Sequence, residues 1–348
     1  MPARHFKHPA IPGMLAAAGI ALAAGALTAI VRRAPEPLAS LPISTILVAI
    51  LLGLALAGVA RRHPDWTPGL RFAAGPVLKL GVILIGLRLS LGQLGSLGLQ
   101  ALPLVLGAIF SGLALAWLLG RVLGVGTKLT ALLAVGAAIC GASAIAATAP
   151  ALKARAEETA YALACVALFG LAATMLYPWL LNDWLADGGQ VGLVLGAAIH
   201  DTAQVTAAAL LFEQTFGQAE VLAAATVTKL MRNLSMLFVI PAVVWWALRG
   251  EQASGSRPGF PLFVLGFLGM AAVRSGGDLL LADHHAWQVL LDAATVGSAF
   301  LFATAMAAIG MGIRIAVLRA LGLRPALTAL LTALGMGVMA LLLVDLFA

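Results

Sequence analysis

Eleven stretches of this chain are apolar for about the 20 residues that a helix needs to cross the hydrocarbon of a bilayer, and they follow one another almost without pause. They cover 12–31, 41–60, 72–90, 99–120, 128–150, 159–181, 190–212, 219–248, 259–274, 286–312 and 325–347. The chain is 62% hydrophobic and only 10% charged, with a mean hydropathy of +1.04, which no soluble domain of 348 residues sustains. It therefore reads as an all-α polytopic membrane protein. The connections are too brief for a soluble domain, so one transmembrane transporter domain is expected over 1–348. The first segment is basic before and apolar within, but its length and its closeness to the next span argue against a cleaved signal peptide. Cys140 and Cys165 both fall inside spans and give no disulfide framework.

Lys and Arg fix the expected orientation. With the N-terminus inside, the inner loops collect twelve of them: Arg4, Lys7, Arg61, Arg62, Arg71, Arg121, Lys128, Arg249, Arg257, Arg314, Arg319 and Arg324. The outer loops hold five: Arg32, Arg33, Lys153, Arg155 and Arg274. This bias places the N-terminus in the cytoplasm and the C-terminus outside. Much of the +7 net charge is thus topology, and nothing in it calls for nucleic acid. Lys79, Arg88, Lys229 and Arg232 remain inside spans, with Asp201 and Asp292. Four embedded positive charges against two negative favour an anionic partner.

Residues 136–149, GAAICGASAIAATA, are small at twelve of fourteen positions and run into Pro150. Such a run lets backbones approach closely or lets backbone face a ligand. Two readings stand: a helix that unwinds near 140–143 and presents N–H groups to an anion, or a continuous, tightly packed helix. Gly196-Ala-Ala-Ile199 repeats the GAAI string and continues into His200, Asp201, Thr202 and Gln204. An ionisable pair at membrane depth is costly and is expected to face a cavity or a partner. A histidine can titrate in the range that suits a proton-coupled step; the bland alternative is a polar network that locks two helices together. One His and one Asp are too few for a metal site. Lys229 and Arg232 share a helical face, with Asn233 beside them, and either hold an anion or form a salt bridge such as Asp201–Lys229.

Two echoes are visible. Ile85-Gly-Leu-Arg88-Leu89 resembles Met311-Gly-Ile-Arg314-Ile315, seven spans apart and so antiparallel, as in inverted-topology transporters. The pair 136–147 and 196–207 lies two spans apart, runs parallel, and belongs to a different relation. The chain has no GxxxxGK[ST] loop for ATP, no HExxH, no GxSxG with a partnered His and no TVGYG-type filter. Neither an enzyme nor a channel is expected, and no cofactor.

At these strings the chain resembles the YeiH-type family of bacterial inner-membrane proteins, classed as sulfate exporters. The resemblance covers nearly the whole chain. It rests on Lys79-Leu-Gly-Val-Ile-Leu-Ile-Gly-Leu-Arg88-Leu, Ile139-Cys-Gly-Ala-Ser-Ala-Ile-Ala-Ala147, His200-Asp-Thr-Ala-Gln-Val205 and Lys229-Leu-Met-Arg232. It implies membership of the cation–proton antiporter and anion transporter superfamily, with inverted repeats and discontinuous crossing helices. It also implies sulfate or a related sulfur oxyanion as substrate, and a homodimer by analogy. The resulting expectation is a secondary transporter in the bacterial inner membrane, exporting a small anion coupled to a proton or sodium gradient. Cys140, Gly141, Ala142, Ser143, Thr202, Gln204, Lys229, Arg232 and Asn233 would hold the substrate, and His200 and Asp201 the coupled charge. Organic acids or sulfonates, and a non-transporting scaffold or sensor, are the rival expectations.

Overall fold

The computed structural model describes residues 10–33, 44–248, 262–281, 283–312 and 322–347. Arg4, Lys7, Arg249, Arg257, Arg314 and Arg319 of the expected inner loops lie outside the described residues, as does 313–315 of the inverted echo. Among the described residues the chain is helical throughout, without a strand. The helices are α1 (Ile11–Arg32), α2 (Thr45–Ala55), α3 (Ala57–Arg62), α4 (Thr67–Phe72), α5 (Leu78–Ile85), α6 (Leu91–Val122), α7 (Thr127–Ala138) and α8 (Ala142–Ala151). They continue as α9 (Ala156–Trp184), α10 (Gly188–Ala198), α11 (Thr202–Phe216), α12 (Glu220–Leu234), α13 (Met236–Ala247), α14 (Leu262–Leu280), α15 (His285–Gly312) and α16 (Leu323–Phe347).

Among the described residues, seven helical segments are long and apolar enough to cross a membrane, or up to eight if a pair bent by 45°, α12 with α13, counts as one. Four of the expected eleven segments are interrupted: 41–60, 128–150, 190–212 and 219–248 resolve into α2/α3, α7/α8, α10/α11 and α12/α13. Periodicity and hydropathy measure apolar length, and both are blind to a break that leaves the side chains apolar on either side. Proline does not mark the breaks. Pro103, Pro178 and Pro241 lie within helices, and Pro150 sits in the last turns of α8.

The chain divides into two compact units. One comprises 1–88 and 266–313. Within it, Pro64–Arg88 is a single span whose middle, Ala73–Val77, widens into a π turn around Pro76. Pro76 has no N–H to give an α-helical bond, and the wider turn absorbs the defect. Arg274 bonds Asp278 (2.6 Å) and the Leu87 carbonyl (3.0 Å), while Trp287 donates to Asp278 (3.0 Å), tying α14 and α15 to the end of that span.

The other unit comprises 89–265 and 314–348, and holds both small-residue strings. Here α10 lies against α12 through Gly188, Gly192 and Gly196, one glycine per turn. A Cβ at Gly192 would stand 2.6 Å from both the Ala224 Cβ and the Val221 carbonyl oxygen; at Gly196 it would stand 2.6 Å from the Thr228 Cβ. With lipid outside, van der Waals packing rather than the hydrophobic effect holds such helices together, so this closeness is where the pair gains contact. It also brings α12's polar end to the C-terminus of α10. We expect Gly192→Leu to destabilise the unit by about 1–3 kcal/mol or more through overpacking, read as a lower unfolding temperature in detergent; an unchanged transition would show that α10 and α12 are not in backbone contact.

Candidate functional site

Both GAAI strings are the last turn of a helix that stops. In the first, α7 ends at Ala138, Ile139 leaves the helical region (φ −116°, ψ −98°), and Gly141 (φ 63°, ψ −118°) turns the chain into α8. A backbone conformation of that kind is essentially confined to glycine, and the Asp201 side chain packs against the missing Cβ (3.1 Å to Oδ2). Of the two readings left open for 140–143, the structure takes the broken one. In the second string α10 ends at Ala198, Ile199 and Asp201 are extended (ψ 141° and 145°), and α11 begins at Thr202. The two breaks fall at corresponding residues of the repeat, 139–141 and 199–201.

A helix that ends inside a membrane leaves carbonyls without partners, each costing several kcal/mol in hydrocarbon. Here α12 supplies the donors. The fully buried Lys229 ammonium donates to the carbonyls of Ile139 (2.8 Å), Ile199 (2.9 Å) and His200. The fully buried Arg232 donates from Nε to Ala138 (3.2 Å), from Nη2 to Ala137 (2.6 Å), and from Nη1 to Gly196 (3.0 Å), Ala197 (2.7 Å) and Ile199 (3.0 Å). Ala137, Ile139, Ala197 and Ile199 are paired positions of the repeat, so one cation pair caps two equivalent helix ends. Cations at helix C-termini are also favoured by the aligned peptide dipoles. Arg232 sits just before the bend at Ser235, whose hydroxyl bonds the Arg232 carbonyl (2.6 Å).

On the far side of the breaks stand two helix N-termini. Asp201 caps α11, accepting from the Ala203 N–H (2.9 Å) while Gln204 Oε1 accepts from the Asp201 N–H (3.3 Å), a reciprocal capping box. The Ala142 N–H at the head of α8 lies near the same carboxylate. The N-cap residue of α8, Gly141, has no side chain to offer, so this carboxylate comes from the other break; Ala142 and Ser143 are exposed there. Gln204 is 2% exposed and also donates to the Ala167 (3.2 Å) and Val166 (3.4 Å) carbonyls of α9. Thr174 of α9 returns a bond to the Gln204 carbonyl (3.3 Å). Asn233 donates to Thr202 Oγ1 (3.1 Å).

Three buried atoms at this crossing have no protein partner among the described residues: His200 Nδ1, Asn233 Oδ1 and Thr226 Oγ1. Their residues are 4%, 1% and 1% exposed. His200 places its ring in the field of both Lys229 and Arg232. Buried polar atoms are nearly always satisfied, by protein or by water; Thr215 Oγ1 and Gln218 Oε1, away from the breaks, are the other two such atoms among the described residues.

Cys140, Gly141, Ala142, Ser143, His200, Asp201, Thr202, Gln204, Lys229, Arg232 and Asn233 thus all lie on the two breaks and the adjoining stretch of α12. Lys79, Arg88 and Asp292 belong to the other unit; Lys79 and Asp292 are exposed. No Asp201–Lys229 ion pair forms; Lys229 turns to carbonyls instead. The carbonyls of Ala137, Ala138, Gly196 and Ala197 were not foreseen as participants, nor was Thr226. The doubled GAAI string itself, followed by a positive pair on a later span, was the available signal.

A many-helix bundle with several apolar helices long enough to cross a membrane, and polar groups gathered where two others break, defines a polytopic helical membrane protein with a buried polar centre. The sequence profile of the family described as Conserved hypothetical protein 698 matches residues 12–329, and the chain belongs to that family. A UPF0324 membrane protein of Ralstonia nicotianae is 38% identical over 341 residues, covering 91% of this chain and 88% of that one. The UPF0324 inner membrane protein YeiH of Escherichia coli K12 is 31% identical over 335 residues, covering 92% and 89%. A UPF0324 membrane protein of Nitratidesulfovibrio vulgaris is 31% identical over 305 residues, covering 82% and 83%. No solved structure matches the chain.

Two substitutions test the geometry. Arg232→Met strips five hydrogen bonds from buried carbonyls, and should cost at least about 3 kcal/mol, with Arg232→Lys intermediate, as read by thermal unfolding in detergent. Gly141→Ala forces a side chain into a glycine-only conformation against Asp201 and should cost about 1–3 kcal/mol. If either variant unfolds at the wild-type temperature, that break is built differently.

Proposed function

We propose that this protein is a secondary transporter that carries a small inorganic anion, sulfate or a related sulfur oxyanion, across the bacterial inner membrane. The observation that carries this reading is the pair of breaks at corresponding residues, with unpartnered buried polar atoms beside them. Broken helices at membrane depth place backbone ends where a translocated ion needs them, and irregular backbone is tolerated there only around a cavity or within protein. The positive excess of Lys229 and Arg232 over Asp201 selects an anion rather than a cation.

In this reading the two cations act on the substrate mainly through their field, because their N–H groups are engaged by carbonyls. Direct contacts come from the exposed first turn of α8, at Ala142 and Ser143, with Cys140, Gly141, Thr202, Gln204 and Asn233 shaping the surroundings. His200 and Asp201 tune or carry the coupled charge, whether proton or sodium. Transport runs outward, with the N-terminus cytoplasmic and the C-terminus periplasmic, as the loop charges favour. Small carboxylates and sulfonates satisfy the same charge requirement and are the rival substrates. The reading is of a carrier that works without catalysis, cofactor or nucleic acid.

Counterflow of labelled sulfate in proteoliposomes, with sulfite, thiosulfate and small carboxylates as competitors, tests the reading. Sulfate-loaded vesicles containing the protein should accumulate label that protein-free vesicles do not, and competition ranks the substrates. Properly inserted protein that exchanges none of these anions would sink the carrier reading.

A further inference from the structure

The charges gathered at the crossing, the buried Lys229 and Arg232 and the half-buried Asp201, do not sum to zero, and their remainder bears on what can be carried. On the C-terminal side, the carbonyl ends of α7 and α10 each present about half a negative charge. Facing them are Lys229 and Arg232. The Lys229 nitrogen reaches three carbonyl oxygens, those of Ile139, Ile199 and His200. A neutral amine has only two N–H groups, so all three contacts are satisfied by the ammonium alone. Arg232 donates from all three of its nitrogens, as only a guanidinium does.

On the N-terminal side, α8 and α11 each present about half a positive charge, and the Asp201 carboxylate lies across them. Cys140 is buried nearby, and His200 holds its ring beside the two cations with Nδ1 unpartnered. Apart from these groups, the buried charged side chain among the described residues is Glu158, which Arg155 engages at 3.3 Å. The four helix ends cancel one another. Two cations against one carboxylate leave a single positive charge.

We propose that the crossing takes its cargo as one net negative charge, so that a monoanion travels alone and a dianion such as sulfate travels with one proton. This rests on the anion-carrier reading above. An uncompensated charge of either sign is costly at membrane depth. The empty crossing carries such a charge; a monoanion removes it, whereas a bare dianion only reverses its sign. One proton from the bulk restores neutrality, held by the dianion or by His200 Nδ1, and leaves with the cargo.

The test uses native protein in proteoliposomes, with the membrane potential set by potassium and valinomycin and an internal pH dye. The net charge moved per labelled sulfate should equal that moved per monoanion, and protons should accompany sulfate at a ratio of about one. Asp201→Asn raises the residual charge by one, so in that variant the number of protons moved per sulfate should fall from about one to about zero, whatever the rate. Two net charges per sulfate in the native protein would overturn the proposal and leave the carrier reading intact. So would an unchanged proton ratio in an inserted Asp201→Asn protein. If that variant does not insert, the native comparison of sulfate with a monoanion decides alone. Absence of counterflow for every anion would remove both readings together.

Discussion

Two interrupted helices end inside the membrane, and their carbonyls must find donors there. Everything at the centre of this protein follows from that requirement. In hydrocarbon there is no water to turn to, and neighbouring helices have already spent their own backbone groups. A lysine and an arginine, one turn apart on α12, meet the demand for both helix ends at once. The usual objection to burying cations is desolvation. Here eight carbonyl contacts and two aligned helix dipoles replace the water that Lys229 and Arg232 give up.

The remaining features arrange themselves around this cap. The glycine ridge on α10 lets α12 come close enough for Arg232 to reach Gly196 and Ala197. Gly141 supplies the one turn that aims α8 away from α7 while leaving room for Asp201. Gln204 reaches sideways into α9 and so fixes the start of α11 from outside the break. Each of these small or polar residues breaks the apolar rule of a membrane span. Each does so for the sake of the two interruptions.

Much of this was legible in the residues. The apolar segments gave the helical membrane class, and the rarity of charge in them singled out Lys79, Arg88, Asp201, Lys229, Arg232 and Asp292, of which only Asp201, Lys229 and Arg232 belong to the breaks. The doubled GAAI string pointed to two related places. The partners of the cations were hidden, because the groups they meet belong to Ala137, Ala138, Ile139, Gly196, Ala197 and Ile199, whose side chains carry no polar signal. A salt bridge between Asp201 and Lys229 was a natural guess from side chains alone. The structure instead sends each to the opposite pole of the helix dipoles. The bend at Ser235 was equally silent, since apolar residues flank it on both sides.

Because Arg232 grips both α7 and α10, it works like a rivet through two crossed beams. Turning one beam against the other would shear bonds to both. The two helix ends are therefore held as one stiff joint, and a load that displaces α7 is passed through the guanidinium to α10.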